Sequence, residues 1–224
     1  PNKRTRAVNI TKADYERLLP HQYLNDTVIE FGLQLWHHEL AMENPELARQ
    51  IHIFNSFFYS KLNKDSIQAG YENVRRWTSK FDIFEKKFVI VPINENQHWY
   101  LAIVYQPGLV LLPSSEPRLP NTSLPSDVPQ DTIYQPMIFT FDSLGEQHPH
   151  VIDILGKYLQ LEAGDKKKLY DTTKPGGRNI PVPTQPNSSD CGIYMLHFAQ
   201  VFVKKAEYLS TITVSSAYNH ARPC

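Results

Sequence analysis

The chain has 224 residues, 41% hydrophobic and 12% aromatic, with 23 Lys plus Arg against 23 Asp plus Glu. That composition can bury a substantial core as a single domain, 1–224, and excludes a predominantly disordered chain. Balanced charge offers no global field for nucleic acid, no apolar run reaches the roughly 18 residues that suggest a membrane span, and two cysteines, Cys191 and Cys224, cannot staple a disulfide scaffold. The expectation is a protein from a reducing compartment that meets other proteins, with no membrane contact and no direct nucleic-acid binding.

In chain order, Thr11 predicts the cap of a short helix running through Leu19, with Asp14 in the capping-box position. "LNDTVIEFGLQLWHHEL" carries Val28, Ile29, Phe31, Leu33, Leu35, Trp36 and Leu40 at helical spacing, with Asn25, Asp26 or Thr27 as its cap. Asp26 is therefore read either as a cap or as a contact to a partner. "IHIFNSFFYSKL", with Phe54, Phe57, Phe58 and Tyr59, predicts helical core with a polar side. The runs "KFVIVPI" and "HWYLAIVY", joined by "NENQ", predict a hairpin of interior strands.

Residues 112–131 are rich in Pro and Ser without a sustained period and predict a solvent-exposed excursion. "MIFTFDS" predicts a third strand and "HVIDILGKYLQLE" a covering helix. "GDKKKLYDTTKPGGRNIPVPTQPNSS" reads as one long connection, its basic cluster Lys166, Lys167 and Lys168 forming a solvated face or meeting an acidic partner. From Cys191, "CGIYMLHFAQVFVKKAEYL" predicts a largely buried helix with a charged exit. The fold class is α+β, a small central sheet flanked by helices.

Chemistry concentrates at a few positions. A free cysteine titrates near pH 8.5 and needs help to be a thiolate at neutrality, and a helix amino terminus supplies some of it. Cys191 has that location. His98, opening one strand, and Asp142, closing another, supply a base and the group that orients it, in the chain order His98, Asp142, Cys191. Gln185 can add its amide to the Cys191 N–H as an oxyanion donor. Three blander readings stand beside this one: a surface histidine at a strand end, a buried helical cysteine, and an aspartate that merely makes the turn "DSLG". No metal or cofactor is needed, and the pairs His37/His38 and His148/His150 read as ordinary surface histidines.

Taken together, "LNDTVIEF", "RRWTSKFDIFEKKFVIVPINENQHWYLAIV", "FDSLG" and "QPNSSDCGIYMLHF" resemble, in content and order and over most of the chain, the catalytic domain of the Ulp/SENP cysteine proteases, peptidase family C48. The resemblance implies a papain-like cysteine protease superfamily fold of the Ulp/SENP type. It also implies hydrolysis after the C-terminal Gly-Gly of SUMO, so that SUMO and poly-SUMO conjugates on protein substrates are the expected partners. It assigns the triad to His98, Asp142 and Cys191, and the oxyanion hole to Gln185. It places Trp99 in an aromatic channel for the Gly-Gly tail, with Tyr23 standing where many members have a second tryptophan. Asp26 matches an acidic contact to the folded body of the modifier; Arg75 and Arg76 match a stretch that either binds the modifier or supports the fold, and Trp77 is expected to pack. The insertion at 112–131 and the early "IHIFNSFFYSKL" resemble the Ulp2/SENP6/SENP7 branch, implying preference for SUMO chains. A monomeric catalytic domain and a nuclear location are the accompanying expectations. The competing readings are a NEDD8 or ubiquitin protease of the same fold, a non-catalytic SUMO-binding module, and an acyltransferase.

Overall fold

The structure is a computed structural model that describes residues 8–113 and 135–219, with side chains as far as residue 206. Its elements in chain order are α1 (Lys12–Glu16), α2 (Asp26–Glu43), α3 (Pro45–Arg49), β1 (Ile51–Ile53), α4 (Phe57–Leu62), α5 (Ile67–Val74), β2 (Phe88–Glu95), β3 (His98–Tyr105), β4 (Met137–Phe141), α6 (Pro149–Lys167), β5 (Gly176–Ile180) and α7 (Cys191–Asn219). Single 3-10 turns sit at Ile83–Glu85 and Pro107–Leu111. Most of the excursion expected at 112–131 lies outside the described residues.

The strands form one sheet in the order β1-β2-β3-β4-β5. Its centre is the expected hairpin, β2 and β3 antiparallel from Phe88↔Tyr105 to Glu95↔His98. Asn96 (φ 52°) and Gln97 (φ 63°) make the turn, both in the left-handed region, as a two-residue turn matched to the strand twist requires. β4 continues antiparallel to β3, while β1 and β5 add parallel edges. Period two divides the strands between two cores. Val89, Val91, Ile93, Tyr100, Ala102, Val104 and Ile138 pack with α4, α5 and α6, and Phe88, Ile90, Trp99, Leu101, Ile103, Phe139 and Phe141 pack with α2 and α7. Covered on both faces, the central strands have to be nearly continuous apolar runs, and they are.

Four expectations change. The helix after Thr11 keeps its capping box with Asp14 but stops at Glu16, because residues 17–19 offer no apolar face that the core takes up: Leu18 and Leu19 are exposed. "IHIFNSFFYSKL" is not one helix but β1 followed by α4, since the backbone of Ile51–Ile53 pairs with β2 before the helix begins. The long connection contains β5, which pairs with β4 from Met137↔Gly176 to Phe141↔Ile180. Glycine is required there by proximity: a Cβ on Gly177 would sit 2.1 Å from Ile152 Cγ2 of α6. Finally, Lys166 and Lys167 belong to the last turn of α6, where Lys167 pairs with Asp82 and Lys166 donates to the Arg75 carbonyl at 2.9 Å; Lys168, at φ 59°, ends the helix.

Candidate active site

Adjacent residues of a strand face opposite ways, so β3 sends Trp99 into the core beneath α7 and His98 to the side of Tyr100. Asp142 follows the last residue of β4, one step beyond the Leu101↔Phe141 pair, and turns to that same side. The two side chains meet: His98 Nε2 lies 3.0 Å from both Asp142 Oδ1 and Oδ2. That leaves Nδ1 for the Cys191 thiol, whose proximity favours the charged imidazole.

The polar stretch before Cys191 builds the helix start. Asn187 Oδ1 accepts from the N–H groups of Ser189 (2.9 Å) and Asp190 (3.0 Å), Asn187 Nδ2 donates to Asp190 Oδ2 at 2.8 Å, and the Tyr194 N–H donates to the Asp190 carbonyl at 3.0 Å. Cys191 is thus the first residue of α7, a buried free thiol at the positive end of a helix. Gly192 permits this seating, because a Cβ there would approach Leu24 Cβ and Ile29 Cδ1 to 3.1 Å.

Electrostatics favour a separated charge pair. Burial pushes the Cys191 thiol up, but hydrogen bonds from His98 and the Trp99 N–H, the charge of His98 and the Gly192 N–H together hold it below its ordinary value. For His98, burial pulls down, and the hydrogen bonds and charges of Asp142 and Cys191 override it, carrying the imidazole up to about 9. Asp142 is raised by burial yet ends well below the usual carboxylate range, held by His148, His98 and the Leu144 N–H. Both shifts move toward a thiolate beside an imidazolium.

Gln185 is buried and tied to the residue after Asp142. Its N–H donates to the Ser143 carbonyl (3.0 Å), its Oε1 accepts from Ser143 Oγ (2.6 Å), and its Nε2 donates to the Asn187 carbonyl. The amide has a second hydrogen beyond that last bond. With the N–H groups of the first turn of α7, which have no partner within the helix, it makes the donor set an oxyanion calls for.

The remaining expected residues are distributed differently. Trp99, expected in the Gly-Gly channel, is 1% exposed, and its Nε1 donates to the Leu24 carbonyl at 2.8 Å, pinning the segment that presents Tyr23, which is 41% exposed. The indole must satisfy its N–H when buried, and Leu24 does so. Asp26 does not cap α2. Asn25 does, through its Oδ1 and the Val28 N–H at 3.1 Å, and Asp26 instead accepts from Ser56 Oγ. Arg75 is committed within the chain, to Asp165 (3.0 Å) and Glu72 (3.1 Å), whereas Arg76 is exposed. Trp77 packs beside Phe54 and Phe58. His37 is half-buried and bonded to the Ala48 carbonyl at 2.9 Å.

His148 overturns its reading as a surface histidine. It is buried, and its Nε2 lies 2.6 Å from Asp142 Oδ2, so that the aspartate faces two imidazoles. The signal was present in the sequence: Pro149 opens a helix and puts His148 at its cap, six residues from Asp142 across a tight turn. Asp142, Glu146 and His148 bring donor atoms within 4.8 Å of one another, but an ion could gather them only by breaking the Asp142–His148 bond.

The arrangement is suited to acyl transfer onto sulfur: a nucleophile whose ionisation is favoured, a proton carrier oriented by a carboxylate, and amide donors beside both. Residues 22–217 match the Ulp1 protease family, C-terminal catalytic domain. Among curated relatives, "Ubiquitin-like-specific protease 2" of Schizosaccharomyces pombe is 37% identical over 231 residues, covering 97% of this chain and 36% of that protein, so the chain spans about a third of the relative's length. Among solved structures, that of a de-sumoylating protease superposes with a TM-score of 0.71 at 28% identity, covering 91% of this chain and 71% of that one. The C-terminal Ulp1 protease domain in complex with SMT3, the yeast ortholog of SUMO, superposes with a TM-score of 0.60 at 26% identity, covering 90% and 75%.

Proposed function

Because the chain belongs to the Ulp1 protease family and is a cysteine protease catalytic domain, we propose that it hydrolyses the isopeptide bond after the C-terminal Gly-Gly of SUMO, releasing SUMO from proteins and shortening poly-SUMO chains. The observation that carries this is the meeting of His98, Asp142 and Cys191 from three separate segments, with His98 3.0 Å from Asp142 and Cys191 at the start of α7. SUMO as the modifier is supported by the likeness to the de-sumoylating protease and to the Ulp1 domain seen with SMT3. Chain shortening is the reading that goes with the resemblance to the Ulp2/SENP6/SENP7 branch, to which the likeness to ubiquitin-like-specific protease 2 adds. The domain acts as a monomer in the nucleus, where SUMO conjugates are concentrated.

In this mechanism the Cys191 thiolate attacks the terminal glycine carbonyl, and the Cys191 N–H and Gln185 Nε2 hold the oxygen that becomes negative. His98 passes its proton to the lysine nitrogen as the C–N bond breaks, leaving a thioester on Cys191. The neutral His98 then removes a proton from water, which attacks the thioester, frees the glycine carboxylate and restores the thiolate–imidazolium pair. Asp142 keeps His98 turned so that Nδ1 faces sulfur. Tyr23, with Trp99 beneath its segment, lies over the extended Gly-Gly tail, and Asp26 meets the folded modifier; Arg76 is the exposed arginine for such a contact.

The test uses SUMO, NEDD8 and ubiquitin, each carrying a thiol-reactive group at its C-terminal glycine, with adducts read by intact mass and peptide mapping. Labelling of Cys191 by the SUMO probe, with none by the other two, is the expected result. Labelling by the NEDD8 or ubiquitin probe instead would reassign the modifier, and no adduct from folded protein would leave a binding module. Cys191→Ala is expected to lose cleavage and keep binding.

A further inference from the structure

Asp142 has more neighbours than a triad needs. Its carboxylate is buried and accepts from the Leu144 N–H on Oδ1 (2.6 Å), from His148 Nε2 on Oδ2 (2.6 Å), and from His98 Nε2, equidistant from the two oxygens at 3.0 Å. The bond to His148 is the shorter of the two imidazole bonds. An ionised carboxylate only accepts, so the proton of that contact sits on His148 Nε2, and His148 is a donor.

His148 is itself held on three sides. Its ring lies flat on the Tyr100 ring, with centroids 3.8 Å apart and planes 1° from parallel, and the Tyr100 hydroxyl donates to Glu95. Its backbone N–H donates to Asn179 Oδ1 at 2.8 Å, an oxygen that also accepts from Thr140 Oγ1 at 2.6 Å. Pro149 follows as the first residue of α6. A side chain this constrained can fix another.

We propose that His148 is a positioning residue for the reaction: it and the Leu144 N–H grip opposite oxygens of Asp142, fixing the carboxylate plane so that His98 is seated evenly between them. The inference rests on the assignment of His98 and Asp142 to the catalytic site. One donor on one oxygen leaves a carboxylate free to swing about its Cβ–Cγ bond; two donors on two oxygens do not. An imidazole donates this bond while its ring lies flat on Tyr100, which a lysine in its place could not do.

Two substitutions separate the donor from the ring. His148→Phe keeps the stack on Tyr100 and removes the donor; His148→Gln loses the ring and keeps an N–H at similar reach. Each is measured in two ways after its melting temperature has established that it folds: turnover of a SUMO fusion, as kcat and KM, and the alkylation rate of Cys191 by iodoacetamide, which needs no modifier. We expect His148→Phe to lose about tenfold or more in kcat, the worth of a hydrogen bond to a charged group, with KM unchanged and alkylation slowed, and His148→Gln to recover most of both. Wild-type rates in His148→Phe, or equal losses in both variants, would overturn the donor role. A wild-type protein that leaves the SUMO fusion intact would refute the proposed substrate, while the alkylation rates would still judge His148.

Discussion

Replacing Asp142 by Asn tests the charge pair directly, since it keeps the shape of the side chain and removes its charge. The structure lifts His98 from 6.5 to about 9, which at 1.36 kcal/mol per pH unit is about 3 kcal/mol in favour of the imidazolium. Burial opposes that lift, and the hydrogen bond that His98 donates to Asp142 is the largest contribution in its favour. Without the carboxylate only Cys191 is left to oppose burial, and His98 should titrate well below about 9. The sign follows from the reactive form, which needs Cys191 deprotonated and His98 protonated. Reactivity therefore rises as pH climbs through the depressed value of Cys191 and falls as it passes about 9 in the wild type. In Asp142→Asn the falling limb should move down by about one pH unit or more, and kcat at neutral pH should drop by about tenfold to a hundredfold, the full value of about 3 kcal/mol being the upper bound. The assay is the pH dependence of Cys191 alkylation and of SUMO-fusion cleavage in both proteins. A falling limb that stays near 9 in Asp142→Asn would refute the assignment of the imidazole's proton to the aspartate.

Other substitutions address single contacts. Gln185→Ala should lower kcat by about a hundredfold with little change in KM, the usual cost of one oxyanion donor; normal turnover at saturating SUMO fusion would remove Gln185 from that role. Asp26→Ala should raise KM several-fold while leaving kcat alone, as expected for a charge that meets only the folded modifier, and an unchanged KM would return Asp26 to its bond with Ser56. Gly177→Ala should destabilise the protein by about 1–3 kcal/mol, because its Cβ would have to displace Ile152 between β5 and α6; a urea midpoint equal to that of the wild type would show the contact to be slack.

The parts of the fold legible beforehand are those in which local pattern and burial agree. Both hairpin strands are apolar because both faces of the sheet are covered, and "NENQ" supplies residues able to hold a tight turn. β5 was illegible for the opposite reason. "GGRNI" has no alternation, since what makes it a strand is the unpaired edge of β4 and the closeness of α6, neither of which is local information. β1 was lost because three residues of strand run almost directly into the aromatic helix that follows. At the site, His98, Asp142 and Cys191 were readable as residue types at element ends. The burial of Trp99 depends on how Leu24 folds back, which no spacing encodes, whereas Pro149 marked a helix start beside His148 and only the reach of that cap back to Asp142 is tertiary.

The side-by-side placement of His98 and Trp99 makes catalysis a check on strand alignment. A shift of the β2–β3 pairing by one residue would exchange their faces, directing the indole at Asp142 and burying the imidazole against α7. Such a chain would retain much of its compactness and have no activity at all. An insertion at the Asn96–Gln97 turn that shifts this register should therefore extinguish cleavage of a SUMO fusion as completely as loss of the sulfur.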